Sequence, residues 1–375
     1  MKILLVDTYY ENFLKTFYKK NKYLNYCNYE KQLQNLLKED FGTSDSYSYF
    51  LRKNNIEAED LIVNCQSLQQ AWAENNNLKY SNIGFRVPFK FSKIPFIGKR
   101  IENIKVLYKI AKEQIRTFKP DVLFCQDLSF FPPDILNEIK KQKNIKLIVG
   151  QIACPLPPKT YIKNYDLILT SFPHFVDKLN SQGVKSEYFK IGFDERILSK
   201  AGPLKKDINF SFIGGISRHH NLALKNIEYL VSKSDLKVYG YGSNKLPINS
   251  IVRKMHNGER WGLNMYKILG RSKISFNRHI NVSENYANNM RLYEATGMGS
   301  LLLTDKKDNL HKLFEIDREI ITYSCKEEAA EKSKFLLSNP LKTSQIAAAG
   351  QARTLKDHTY DIRMQELIEI LRKYL

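Results

Sequence analysis

The amino-acid sequence predicts an α/β protein of two doubly wound domains in tandem, each built on a parallel sheet. Three observations predict this fold class: short continuous apolar runs, helical patterns between them, and a fresh series of runs after a glycine–proline pair in mid-chain. Uninterrupted apolar runs bounded by turn residues are typical of parallel strands covered on both faces. Their alternation with helices favours α/β layers, and a length of 375 residues suits two domains.

The first series of strands begins at the amino terminus with Lys2–Asp7. The remaining predicted strands of this series are Asp121–Cys125, Lys146–Val149, Asp166–Thr170 and Ser186–Phe189. Between them, Ile101–Phe118 has helical spacing and ends before Pro120, which cannot continue a helix. The pair Pro132-Pro133 predicts the start of another helix, since proline is favoured in the first turn.

A second series of strands follows Gly202-Pro203, which predicts a domain boundary near residues 195–205. Its members are Asn209–Ile213, Leu236–Tyr239, Ile274–Asn277, Ser300–Thr304 and Glu319–Tyr323. The sequence therefore predicts an N-terminal domain over residues 1–198 and a C-terminal domain over 199–355. Residues 356–375 are amphipathic and predict a final helix.

The chain has 59 Lys and Arg against 39 Asp and Glu, a net charge of +20. Such an excess attracts polyanions and anionic lipid surfaces. Because the lysines are dispersed and no nucleic-acid-binding motif is present, we expect no nucleic-acid partner. The excess could serve peripheral association with an anionic membrane, or could simply form a solvated face. Five widely spaced cysteines without a C-x-x-C pair fit a reducing cytoplasm, and no apolar stretch has the length of a membrane span or a signal-peptide core.

Ligands of doubly wound sheets bind beyond the carboxyl ends of the strands. The residues at these ends are therefore candidates for a site. They are Asp7, Gln126, Asp127, Gly150, Gln151, Ser171, Gly214, Gly215, Gly240, Tyr241, Gly242, Arg278, His279 and Asp305.

The segment Asn288–Asp305 carries the strongest local pattern, a helix that turns through Gly297 and Gly299 into a buried strand. Arg291 and Glu294 are three residues apart on one helical face, and could simply form an exposed ion pair.

This segment resembles the donor-binding helix of GT-B glycosyltransferases of the group-1 and CgeB-like kind, which read R-x-F/Y-E-A-x-x-x-G before a strand ending in T-D. The matching residues here are Arg291, Tyr293, Glu294, Ala295, Gly299, Thr304 and Asp305. The resemblance implies two Rossmann-like domains facing a cleft, with the C-terminal helix crossing back to the N-terminal domain. It also implies that Glu294 accepts hydrogen bonds from ribose hydroxyls of a nucleotide sugar, with Asn289, Arg291, Tyr239 and Gly240 beside it.

Many retaining members have a second acidic residue eight positions before this glutamate, where the present sequence has Tyr286. The departure leaves open whether the sugar keeps its configuration.

Two further clusters suit a nucleoside diphosphate. Gly214-Gly215 followed by Arg218 could bind its phosphates through backbone amides and a guanidinium, or could be a tight turn with a solvated arginine. Arg278 could neutralise the departing diphosphate. His279 could bind phosphate or sugar, or could instead fix the loop Asn281–Asn288.

On the N-terminal side, Asp127 is the first candidate for the base that deprotonates an acceptor hydroxyl, and Asp7 is the next. Asp127 could alternatively cap the following turn or helix. Phe130-Phe131 and the segment Phe85–Phe96 could meet an acceptor or simply pack.

The sequence therefore predicts transfer of a sugar from a nucleotide diphosphate donor to a hydroxyl of a surface glycan, a lipid-linked glycan or a protein, as in polysaccharide biosynthesis. No D-x-D suited to a cation occurs in the relevant loop, so we expect a metal-independent enzyme with no cofactor besides the donor co-substrate. We expect it in the cytoplasm at the inner face of the membrane. The alternatives are a non-catalytic sugar-nucleotide-binding module and a basic polyanion-binding protein.

Overall fold

A computed structural model describes residues 1–78, 97–216 and 221–375, with only the backbone described for 97–103 and 221–223. The chain divides into two compact units, and each contains one sheet. The first unit comprises Met1–Leu169, Lys178–Glu187 and Ile368–Leu375. The second comprises Thr170–Asp177 and Tyr188–Leu367. The predicted α/β class is confirmed. Both units are discontinuous in sequence, whereas the predicted domain limits are continuous and stay predictions.

The first sheet has the strand order β2-β1-β3-β4-β5-β6. Its strands are β1 Lys2–Asp7, β2 Glu57–Ile62, β3 Val122–Cys125, β4 Leu147–Ile152, β5 Leu167–Thr170 and β6 Ser186–Tyr188. The pairs β1–β2, β1–β3 and β3–β4 are parallel. Every residue of β3 is fully buried, as its continuous apolar run predicts.

Strand β2 is absent from the sequence prediction. It lies at the sheet edge, where Glu57 and Glu59 are exposed on either side of the buried Ala58 and are followed by Asp60. These three acidic residues interrupt the apolar run by which the other strands are detected.

The helices of the first unit are α1 Glu11–Lys20, α2 Tyr29–Leu37, α3 Ser46–Lys53, α4 Gln66–Asn75, α5 Ile97–Phe118, α6 Pro133–Lys140 and α7 Lys159–Ile162. Helix α8, Pro173–Asn180, has residues in both units, and α9, Arg196–Ala201, belongs to the second unit. The helices predicted at Ile101–Phe118 and after Pro132 correspond to α5 and α6, and Pro133 is the first residue of α6.

The second sheet has the order β11-β10-β9-β7-β8 and is parallel throughout. Its strands are β7 Ile208–Ile213, β8 Leu236–Tyr239, β9 Ser272–Asn277, β10 Leu301–Asp305 and β11 Ile321–Tyr323. Its helices are α10 Asn221–Lys233, α11 Ile251–Lys254, α12 Gly262–Arg271, α13 Met290–Gly297, α14 Lys326–Ser338, α15 Pro340–Asp357 and α16 Tyr360–Arg372. All five carboxyl ends meet at one edge because the strands run in the same direction.

A buried arginine, Arg363, forms hydrogen bonds with several chain segments near the start of α16. Arg363, which is 0% exposed, donates to the backbone carbonyls of Ile191 and Asp357 and to Nδ1 of His358 at 2.8 Å. The other ring nitrogen of His358, Nε2, lies 2.8 Å from the carbonyl of Leu313, which can only accept. His358 is therefore the neutral Nε2–H tautomer.

We expect the second unit to lose stability in acid because of this histidine. Burial, together with the charge of Arg363 and against the hydrogen bond to Leu313, lowers the pKa of His358 from 6.5 to about 4. The unfolded chain takes up this proton near pH 6.5, whereas the folded chain does not until about pH 4. Stability should fall across that interval, by roughly 3 kcal/mol at most.

Urea unfolding at pH 7 and at pH values down to 4 measures this loss. His358→Gln should flatten the dependence, whereas the same change at the exposed His311 should leave it intact. An equal acid dependence in wild type and His358→Gln would contradict the assignment.

No helix in the described ranges is long and apolar enough to cross a membrane.

Candidate functional site

Two glycine turns leave the neighbouring strands β7 and β8 at the carboxyl edge of the second sheet. The amide of Gly214 donates to the carbonyl of Tyr239 at 3.2 Å, which continues the pairing of the strands. A Cβ atom on Gly240, whose φ is +123°, would lie 1.9 Å from the carbonyl oxygen of Gly214. Glycine is needed here because two backbones approach each other. The predicted residues Gly214, Gly215, Tyr239 and Gly240 thus lie together, with the Gly214 amide already engaged.

The ion pair between Arg291 and Glu294 lies beside these turns. Nη1 of Arg291 is 2.7 Å from Oε2 of Glu294, and the side chains are 15% and 6% exposed. Nη2 of Arg291 donates at 3.1 Å to the carbonyl of Ile213, the last residue of β7. The pair that the sequence allowed as an alternative therefore forms, but it is buried at the carboxyl edge and not on an exposed face.

The second carboxylate oxygen of Glu294 has a distant neighbour on α12. The hydroxyl of Tyr266 lies 3.4 Å from Oε1, a long hydrogen bond. The sulfur of Met265 lies 3.3 Å from both terminal nitrogens of Arg291. The ion pair with Arg291 fixes the direction of the carboxylate. Each oxygen of Glu294 retains a lone pair, so the carboxylate can still accept hydrogen bonds from two adjacent hydroxyls.

Asn289 begins α13 and ties it to β9. Its side chain caps the helix by accepting from the amide of Leu292 at 3.2 Å. The side-chain amide of Asn289 also exchanges hydrogen bonds with the side-chain amide of Asn277, the last residue of β9, at 3.0 and 3.4 Å. The predicted site residue Asn289 is therefore held directly beside Arg278.

Arg278 follows β9 and is half-buried. Its Nη2 makes one contact at the 3.5 Å limit, to Oδ1 of Asn281. Within the described ranges it forms no ion pair, in contrast to Arg291. Of the two arginines, Arg278 is the one whose charge remains available to an anion.

His279 is 4% exposed and pairs with Asp305 at the end of β10. Asp305 Oδ1 accepts from the backbone amide of His279 at 3.0 Å and lies 2.7 Å from its Nδ1. Burial acts to raise the pKa of Asp305, but the hydrogen bonds and charge of His279 and the charge of Lys307 hold it below its usual value. Nδ1 therefore carries a proton. The Nε2 atom is buried and, among the described residues, has no partner.

The partner of His279 is thus a carboxylate on the next strand. Among the described residues, the loop Asn281–Asn288, which the sequence left open as an alternative partner, makes no hydrogen bond to the ring. Tyr286, eight positions before Glu294, stacks on His174 with ring centroids 5.2 Å apart.

Asp127 lies in the first unit, after β3. Its two oxygens accept from the hydroxyl of Thr8 and the amide of Ser129, both at 2.8 Å. The bond from Ser129 is the capping of the following turn that the sequence left open as an alternative.

Asp7 ends β1 beside Asp127. Its Oδ1 accepts from the amide of Thr8 at 2.7 Å, and that residue's hydroxyl bonds Asp127. Asp7 is partly exposed, yet burial raises its pKa to about 7, with the Thr8 amide opposing this rise and the Asp127 carboxylate adding to it. Asp7 can therefore take up and release a proton near neutral pH.

Three sequence proposals concern other parts of the chain. Phe130 and Phe131 are 8% and 0% exposed and pack on Tyr108, so the packing alternative is correct for them. Arg218 and the segment Phe85–Phe96 lie outside the described residues. No group of three or more His, Cys, Asp or Glu side chains within the described ranges could hold a metal ion.

Sequence reasoning missed the residues that support the site. Tyr266 and Met265 reach Arg291 and Glu294 from another helix, and no local pattern marks them. Asn277 was recognised only as a strand residue. Its position, immediately before Arg278 at a strand end, is a signal that could have indicated a polar role.

Comparison with known proteins agrees with this architecture. Residues 218–369 match the family model described as Glycosyl transferase-like. No curated protein matches the chain in sequence. Sucrose-phosphate synthase from Thermosynechococcus elongatus aligns at a TM-score of 0.61 and 9% identity, covering 100% of this chain and 98% of that one. A glycosyltransferase from Rickettsia africae aligns at 0.59 and 12%, covering 100% and 98%.

Anabaena HepE, solved in complex with UDP-glucose, aligns at a TM-score of 0.60 and 11% identity over 100% of both chains. At such identities the likeness establishes the fold, and the family model covers less than half of the 375 residues. The protein is thus an α/β protein with the two-domain, Rossmann-like GT-B fold, whose residues 218–369 are similar to the glycosyl transferase-like family.

Proposed function

We propose that the protein transfers a sugar from a nucleoside diphosphate donor to a hydroxyl group of an acceptor. One observation carries the proposal: the buried Arg291–Glu294 pair lies against the end of β7, beside the glycine turns, in the segment that matches the glycosyl transferase-like model. A fixed carboxylate at the carboxyl edge of a doubly wound sheet suits recognition of a nucleotide.

The donor contacts follow from the charges at this edge. Glu294 accepts from the two adjacent ribose hydroxyls, while Arg291 neutralises its charge and fixes its direction. Arg278, without an acidic partner in the described ranges, faces the diphosphate. The Nε2 atom of His279, buried and without a partner among the described residues, forms a hydrogen bond with a hydroxyl of the sugar.

The transfer exchanges one carbon–oxygen bond for another. The anomeric carbon separates from the diphosphate oxygen and joins the acceptor oxygen, and the nucleoside diphosphate leaves with its charge towards Arg278. The acceptor proton passes to a carboxylate of the first unit. We assign this role to Asp7, because both oxygens of Asp127 are engaged whereas Asp7 titrates near neutral pH.

We further propose an enzyme of the group-1 or CgeB-like kind that needs no metal ion. Its acceptor is a surface glycan, a lipid-linked glycan or a protein, and it acts in polysaccharide biosynthesis in the cytoplasm, at the inner face of the membrane. The net charge of +20 supports a location at an anionic surface.

Thermal unfolding with a panel of nucleoside diphosphates tests donor binding. UDP comes first, since the structurally similar HepE was solved with UDP-glucose. Saturation at about 100 times Kd stabilises a protein by roughly 2.7 kcal/mol, which corresponds to a rise in Tm of roughly 5–10 °C for a unit of this size. Absence of a shift with every nucleotide would contradict the proposal.

Release of the nucleoside diphosphate from the matching sugar nucleotide tests turnover. We expect release that increases when a hydroxyl acceptor is supplied and that persists in EDTA. Binding without release, across glycan, lipid-linked and peptide acceptors, would favour the non-catalytic binding module.

A further inference from the structure

The segment Lys245–Met255, between β8 and α12, turns large apolar side chains towards solvent. Ile248 is 80% exposed, Ile251 38% and Met255 57%. In the same segment Leu246 and Val252 are 7% and 0% exposed and belong to the core of the second unit. Leu246 and Val252 are thus the residues of this segment that pack in the core. Burial within the chain does not explain why Ile248, Ile251 and Met255 are apolar.

The backbone of this segment is anchored. Arg253 donates to the carbonyl of Leu246 at 2.7 Å, and the hydroxyl of Ser250 donates to Glu228 at 3.3 Å. His256 forms a parallel bridge with Val238 of β8, and its Nε2 lies 2.7 Å from the carbonyl of Gly240. The apolar side chains are therefore presented from a fixed backbone.

Cationic residues lie next to these side chains in the sequence. Lys245 and Lys254 are exposed and Arg253 is half-buried, and residues 243–258 contain no Asp or Glu. We name Ile248, Ile251 and Met255 together with Lys245 and Lys254 the apolar–basic patch. Single exposed apolar side chains are common on protein surfaces, but here three lie within eight residues of one anchored segment, and such a grouping indicates a partner.

We propose that the apolar–basic patch docks the protein onto an anionic lipid membrane. Large apolar side chains flanked by lysines match the boundary between acyl chains and negatively charged headgroups. Each lysine near an anionic surface adds attraction that a neutral partner cannot supply. The patch follows β8, the strand whose end lies beside the proposed donor site. The patch identifies the residues through which the proposed membrane association would occur. The inference rests on the proposed function only for the membrane location, and not for the sugar transfer.

Co-sedimentation with vesicles tests the proposal. The wild-type protein should bind vesicles of phosphatidylcholine mixed with phosphatidylglycerol and bind much less to phosphatidylcholine alone. The triple variant Ile248→Ser, Ile251→Ser, Met255→Ser should lower the partition coefficient about tenfold or more. Lys245→Glu with Lys254→Glu should lower it by about fivefold per lysine or more, and added salt should weaken wild-type binding.

The matched control is Phe335→Ser with Leu341→Ser, which removes apolar side chains that are 53% and 72% exposed elsewhere on the same unit. It should partition like the wild type. Equal partition of the wild type and both patch variants, or no preference for anionic vesicles, would overturn the proposal. A change in sedimentation coefficient without lipid would instead identify the patch as an interface between copies of this chain.

The nucleotide-induced rise in Tm reports that each variant is folded and separates this test from that of donor binding. If the serine variant does not fold, the lysine variant decides, since both lysines are exposed. Loss of vesicle binding with an intact nucleotide shift supports docking. A missing nucleotide shift in the wild type contradicts the proposed function while leaving the vesicle result interpretable.

Discussion

Replacing Glu294 with glutamine should weaken binding of the preferred nucleoside diphosphate by about 10- to 150-fold. The carboxylate can make two charge-assisted hydrogen bonds to ribose, each worth about 1.5–3 kcal/mol, whereas an amide makes neutral bonds worth about half as much. Isothermal titration calorimetry measures the difference. Glutamine keeps the side-chain volume. Alanine would leave Arg291 without its partner at 15% exposure, and breaking a buried pair costs about 3–5 kcal/mol.

The chain offers a matched control for this substitution. Glu366 forms an ion pair with Arg363 at the same spacing, three residues apart on a helix, and at the same distance of 2.7 Å. It lies on α16 and not at the carboxyl edge of the second sheet. Glu366→Gln should leave nucleotide affinity unchanged. Equal losses in both variants would mean that Glu294 acts through stability and not through contact with the nucleotide.

Replacing Asp7 with asparagine should lower the rate of transfer by about 10²- to 10⁴-fold, the range typical of general base catalysis, with donor affinity retained. The base works as a carboxylate, and burial raises the pKa of Asp7 to about 7. The wild-type kcat/KM should therefore rise with pH through about 7, and this limb should be absent in Asp7→Asn. Asp127, Tyr9 and Asp60 are the titratable groups of the first unit that interact electrostatically with Asp7.

Two further variants separate Asp7 from its neighbours. Burial also raises the pKa of Asp60 to about 7, but Asp60 lies within β2 and accepts from Ser48. In Asp60→Asn, kcat/KM should still rise with pH, and at most the midpoint of this rise should shift. Asp127→Asn should reduce the rate less than Asp7→Asn. If Asp7→Asn retained activity and Asp127→Asn lost it, the general base would be Asp127 and not Asp7.

The sequence predicts the second sheet well because its strands are buried on both faces. The runs at Asn209–Ile213 and Leu236–Tyr239 match β7 and β8 to within one residue at each end, and glycines mark the turns that follow. It fails at β2, whose first four residues include Glu57, Glu59 and Asp60. A continuous apolar run is the signal of a buried strand, and these acidic residues remove that signal, whereas the edge strand β8 keeps it.

The candidate site is predictable where its residues lie on strand ends or in one helix. Arg291 and Glu294 share a helical face by spacing, so their pairing can be read locally. Their burial cannot, since it depends on the end of β7 and on Tyr266 of α12. The pairing of His279 with Asp305 likewise needs β9 and β10 to be neighbours, which spacing along the chain does not fix.

The most direct test of the account compares a nucleoside diphosphate with its 2′,3′-dideoxy analogue on the wild type and on Glu294→Gln. If Glu294 binds the ribose hydroxyls, their removal weakens binding to the wild type strongly and to the variant weakly. The coupling free energy should then be about 1–3 kcal/mol. Equal losses in both proteins, and so no coupling, would contradict the claim that this carboxylate holds the nucleotide.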